Sequence, residues 1–138
     1  MEKFVLTEDL IVGISEIDDQ HRELIDRINS FIESLYTSDV KVLSEDIEKV
    51  FDFMFEYAKL HFSKEEEIME KNSCPILNLQ KVQHQFFLME ANKLKFELKS
   101  RGINSEIIEK TRKLLIEWFK SHISKMDKKI RECLDRQP

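Results

Sequence analysis

Between Leu77 and Leu98 the residues able to face a core recur in steps of three and four without a break: Leu77, Gln80, His84, Phe87, Ala91, Leu94 and Leu98. That spacing tracks the turn of an α-helix and does not suit a strand, whose faces alternate every second residue. Three other segments carry the same kind of stripe. The first holds Ile17, His21, Leu24, Ile25, Ile28, Phe31, Ile32 and Leu35. The second holds Ile47, Val50, Phe51, Met54, Ala58, His61, Glu65, Ile68 and Met69, and the last holds Ile108, Thr111, Leu115, Trp118 and His122. The chain has two glycines and two prolines, and they fall at the joints: Gly13, Pro75, Gly102 and the final Pro138. The pattern predicts helices over about residues 18–37, 42–72, 76–101 and 104–134. Asn104 is the expected N-cap of the last, with Glu106 in its favourable first turn. Residues 1–17 read as an extended N-terminal arm packed across the helices. Short connections between long helices favour antiparallel neighbours, so residues 1–138 are expected to form one all-α domain, an up-down-up-down four-helix bundle.

Composition narrows the functional classes. Charged residues make up 36% of the chain and the net charge is −5, with no basic block, so a nucleic-acid partner is not expected. Glu8 and Asp9 interrupt the N-terminal apolar residues, so neither an export signal nor a membrane span is expected there. Cys74 and Cys133 lie far apart in the chain and form no CxxC pair. Without an export signal they read as free, inert thiols of a cytoplasmic protein.

The informative residues are the polar ones inside the apolar stripes. The chain has four histidines, His21, His61, His84 and His122, one in each predicted helix. In an antiparallel bundle the starts of the first and third helices share an end with the finishes of the second and fourth. At ~1.5 Å of rise per residue the four rings fall within a few turns of one another. A single histidine on an apolar face is ordinarily a hydrogen-bonded core residue. Four unpartnered imidazoles at one end would cost several kcal/mol in unmet hydrogen bonds, and metal ions remove that cost.

The carboxylates are read separately. Glu65 stands one turn after His61 on the same stripe, whereas Glu66 and Glu67 rotate away, so His61 and Glu65 can point at one metal. Asp127 follows His122 by five residues, which carries it off the His122 direction in an ideal helix. A local widening of that helix would bring both inward. Gln80, one turn before His84, is left open between three roles: binding a metal through its carbonyl, binding through a water, or hydrogen-bonding inside the bundle.

These residues carry a resemblance. The stretches "VGISEIDDQH" (12–21), "HFSKEE" (61–66), "CPILNLQKVQH" (74–84) and "WFKSHISKMD" (118–127) resemble, in order and spacing, the bacterial hemerythrin-like proteins. The resemblance implies a four-helix bundle with a non-haem di-iron centre that binds dioxygen reversibly as a redox event. By position, His21 and His61 resemble the ligands of the iron that meets dioxygen, and His84 and His122 resemble ligands of the other. Glu65 and Asp127 resemble the two bridging carboxylates, and an oxo or hydroxo bridge would complete the core. Ile25, Phe62, Phe87, Leu115 and Trp118 are candidates for the apolar wall.

The chain departs from that pattern at Gln80, where the family carries a second histidine of the third helix, so the second iron is expected to be held less tightly or to keep an exchangeable water. Two lesser departures are Cys74, where an aromatic residue often precedes the proline, and Leu6, where the arm often holds a tryptophan. The leading expectation is a dioxygen carrier, store or sensor. The alternative is a di-iron peroxidase or oxidase exploiting the position that Gln80 leaves open. Against the alternative, the chain has no E-x-x-H pair, and its four histidines are all assigned as ligands.

Overall fold

The computed structural model describes residues 4–37 and 40–135, without the side chains of 34–47 and 50. The expected side chains of Leu35, Ile47 and Val50 therefore lie outside the described residues. Four long helices run α1 (Ser15–Thr37), α2 (Val40–Lys71), α3 (Leu77–Arg101) and α4 (105–135), and no strand occurs among the described residues. Each helix packs against its chain neighbour, as a four-helix bundle requires.

The stripe of α3 is buried at Gln80, His84, Phe87, Ala91, Leu94 and Leu98, with Leu77 half-buried at its edge. Its end is set by Gly102, whose N–H closes the last turn on the Leu98 carbonyl and whose positive φ of 74° then turns the chain out of the helix. Asn104 caps α4 as expected, its side chain accepting from the Ile107 N–H at 2.9 Å. The first helix starts three residues earlier than its stripe implied, because the Ile14 carbonyl already accepts from the Asp18 N–H at 2.9 Å.

The approach to α1 is anchored by polar contacts that no apolar pattern discloses. The buried Asp18 carboxylate accepts the N–H groups of Val12 (2.8 Å) and Gly13 (3.0 Å). Asn29 of α1 exchanges two hydrogen bonds with the Phe4 backbone, at 2.8 and 2.7 Å. Arg131 of α4 donates to the Gly13 carbonyl at 3.0 Å. Phe4, Leu10 and Val12 are buried.

Two expectations need correction. The last helix is not a regular α-helix throughout. It runs α over Ser105–Arg112, π over Lys113–Trp118, α over Phe119–His122, π over Ile123–Asp127 and α over Lys128–Asp135. Each wide turn changes which residues face inward. Ile107 rather than Ile108 enters the core, Trp118 is only half-buried, and Phe119 beside it is fully enclosed.

The cysteines are not free thiols. Cys74 and Cys133 form a disulfide with 5.7 Å between their Cα atoms. A separation of 59 residues says nothing about proximity, but the corner after α2 and the finish of α4 lie at the same end of the bundle. The bond removes the support that free thiols lent to a reducing compartment. No helix among the described residues is long and apolar enough to cross a membrane.

Candidate metal centre

The six polar residues singled out in the stripes and Asp127 beyond them converge at one end of the bundle. His21, His61, Glu65, Gln80, His84, His122 and Asp127 are each at most 3% exposed. Successive turns of α2 aim His61 and Glu65 at the same volume. The π turn over Ile123–Asp127 does the same for His122 and Asp127. Five residues there nearly complete one wide turn, which is the widening their spacing demanded.

The donor atoms sort into two sets. His21, His61, Glu65 and Asp127 each offer an atom within 4.8 Å of the others, and so do Glu65, His84, His122 and Asp127. Both carboxylates belong to both sets. Asp127 spans them with its two oxygens, Oδ2 lying 3.1 Å from His21 Nε2 and Oδ1 3.2 Å from His122 Nε2. Glu65 Oε1 lies 2.8 Å from His61 Nε2 and 3.8 Å from His84 Nε2. The His84 and His122 Nε2 atoms are 3.1 Å apart.

These contacts are close without being good hydrogen bonds. His21 Nε2, His61 Nε2, Glu65 Oε1 and Asp127 Oδ2 are buried and make no aligned hydrogen bond, despite the short separations. A dry interior penalises such atoms by a few kcal/mol each unless something accepts their lone pairs. Two imidazole nitrogens and two carboxylate oxygens converging in each set fit a cation of the borderline class that takes mixed nitrogen and oxygen donors.

Two supports lie outside the stripes, where periodicity carries no sign of them. The His61 Nδ1 donates to Gln20 Oε1 at 2.7 Å, and the His84 Nδ1 donates to Glu66 Oε2 at 2.8 Å. Both partners are acceptors, so the proton sits on Nδ1 and the Nε2 lone pair faces the centre. The only hint was adjacency: Gln20 precedes His21, and Glu66 follows Glu65. Glu66 does rotate away from the carboxylate cluster, and it meets the back of a ligand-type imidazole instead.

Electrostatics keeps these groups in the forms a cation needs. Burial pushes the His61 imidazole well below its usual value, helped by the neighbouring His21. Burial, with His122 close by, lowers His84 to about 3. Both rings are therefore neutral donors at pH 7. Burial and the adjacent Asp127 hold Glu65 well above the ordinary carboxylate range. Burial pushes Asp127 the same way, but the nearby His122 and the close approach of Glu65 and His21 outweigh it and hold Asp127 well below. Without a cation, the buried pair therefore resists losing its last proton. A cation would displace that proton, so uptake is proton-coupled.

Gln80 is fully buried. Its Nε2 donates to Asp127 Oδ1 at 2.6 Å and to Glu65 Oε2 at 3.3 Å, while its Oε1 has no partner. The walls are aromatic. Phe62 stacks on His84 with 3.9 Å between ring centres, and Trp118 stacks on His122 at 4.7 Å. Phe119, absent from the predicted wall, meets His21 edge-on at 6.0 Å.

Known proteins share this arrangement of sequence. The family model for the Hemerythrin HHE cation binding domain matches residues 12–134. A bacteriohemerythrin of Stenotrophomonas maltophilia is 28% identical over 123 residues, covering 89% of this chain and 76% of that protein. A bacteriohemerythrin of Clostridium acetobutylicum is 27% identical over 136 residues, covering 96% and 99%. One from Methylococcus capsulatus is 26% identical over 117 residues, 85% of each.

Proposed function

The chain belongs to the hemerythrin family, and from that premise we propose that it binds dioxygen reversibly at a centre of two iron ions. The observation that carries this reading is the pair of donor sets sharing Glu65 and Asp127. Two cations would use every orphaned Nε2 and carboxylate oxygen in the cavity. His21 and His61 would hold one iron, His84 and His122 the other, with Glu65 and Asp127 across both and a solvent-derived oxo or hydroxo bridge between. When bound, the irons supply the electrons that make dioxygen binding a reversible redox event.

The protein's own residues define what the centre can do. Gln20 and Glu66 hold two of the imidazoles with their Nε2 lone pairs inward. Phe62, Phe119 and Trp118 line the imidazoles and exclude bulk water, which favours release of the bound gas over its conversion. With all four buried histidines serving as metal donors, none would stand free as a general acid or base, which favours a binder over an enzyme.

The test is an iron count followed by a gas titration. Protein produced with iron is expected to hold two irons per chain. After anaerobic reduction, dioxygen should produce an absorption change that argon reverses over repeated cycles. Immediate, irreversible conversion to the ferric protein would favour the oxidase-type alternative, and one metal per chain or a predominance of zinc would end the proposal.

A further inference from the structure

We infer that Gln80 leaves the His84–His122 metal position as open as the His21–His61 position, so that the centre takes two small anionic ligands, one at each metal. The inference rests on the di-iron reading above. The two donor sets are equal in composition, each with two imidazoles and the same two carboxylates. An octahedral ion given two imidazoles, one oxygen from each carboxylate and a shared solvent bridge has one position left over. That count is the same on both sides.

The residue placed to break this equality is Gln80, and its orientation argues that it does not. The amide end facing the centre is Nε2, which donates to Asp127 Oδ1 and Glu65 Oε2. A carboxylate oxygen is an acceptor, so only the amide N–H can meet two of them at once. Turned round, Oε1 would face two oxygens and the N–H groups would lose both partners. The oxygen that could serve as a metal donor is thus held away from the carboxylates, buried and unpartnered. Gln80 acts as a clip on the two shared carboxylates. The position is walled by rings, Phe62 against His84 and Trp118 against His122. Slim linear or diatomic ligands suit it, and bulky anions do not.

Azide is the probe. Ferric protein holding two irons per chain is titrated with azide, following the ligand-to-iron absorption band and counting azide bound by calorimetry. The native chain is expected to bind two azides per centre. The Gln80→His variant, which supplies an imidazole at the open position, should bind one, half the native number. The Gln80→Leu variant, which has no donor, should still bind two. One azide on the native chain but two on Gln80→Leu would mean that Gln80 coordinates, and would overturn the inference. One azide on all three chains would overturn it as well, as would two on Gln80→His. An iron count below two per chain would instead overturn the di-iron reading, so the two failures are distinct.

Discussion

At the scale of single residues, the interior holds groups whose proton affinities differ sharply from those they have in an unfolded chain. His84 titrates near 3 in the folded protein, and His61 is also displaced well below 6.5. Between pH 4.5 and 6.5 an unfolded chain would carry protons on both rings that the fold refuses. Glu65 acts in the opposite sense, holding a proton that the unfolded chain would release above 4.5. Glu66, which burial also raises, adds a smaller share to the Glu65 side. The two imidazoles still outweigh the carboxyls, so the unfolded state is richer by less than one proton and stability falls as pH falls, by less than about 1.4 kcal/mol per pH unit. Chelator-treated protein should show this as a lower urea midpoint at pH 5 than at pH 6. Equal midpoints would mean that the rings are hydrated. Gln20 and Glu66 show the limit of reading single residues from a stripe. Each lies just beside the core-facing direction, where polarity is ordinary, and only the fold reveals that it supports an imidazole.

At the scale of the helix, the sequence disclosed most of α1, α2 and α3, because unbroken steps of three and four leave little freedom in which face is buried. It disclosed α4 less well. Ile108 and Trp118 were expected in the core, but Ile107 and Phe119 are buried more deeply, and Phe119 directly follows the wide turn over Lys113–Trp118. The five-residue gap from His122 to Asp127 was the visible trace of the second wide turn. A widened turn holds one extra residue without disturbing the helix beyond it. Deleting the exposed Lys125 should therefore return this stretch to an ordinary α-helix, with the histidine and aspartate one normal turn apart, as His61 and Glu65 are. That variant is expected to keep the native metal content and helicity. Deleting the exposed Lys129, from the regular segment beyond, should rotate Ile130 and Cys133 by about 100° and cost the disulfide. Metal analysis and thiol titration of the two variants check this; loss of metal from the Lys125 deletion would mean that the wide turn itself is required.

At the scale of the whole molecule, the bundle and its paired donor sets were legible because four histidines fell one to a helix at one height. The disulfide was not: two cysteines allow a single pairing, but nothing in the chain marks that thiols 59 residues apart will meet. Cys74 lies nine residues past Glu65 and Cys133 six past Asp127, so the bond ties together the two helices that supply the shared carboxylates. Closing a loop of this size is worth about 4 kcal/mol through the entropy of the unfolded chain. Treatment with a phosphine reductant should lower the unfolding free energy of the chelated protein by about that amount, as measured in urea; an unchanged midpoint would show that the unfolded ensemble is already compact. One more property belongs to the molecule as a unit. It has a single indole, on Trp118, lying nearly parallel (9°) to the His122 ring. All indole emission from the chain therefore arises beside the cavity. Loading with iron should dim that light and chelation restore it, giving a label-free optical gauge of filling and emptying.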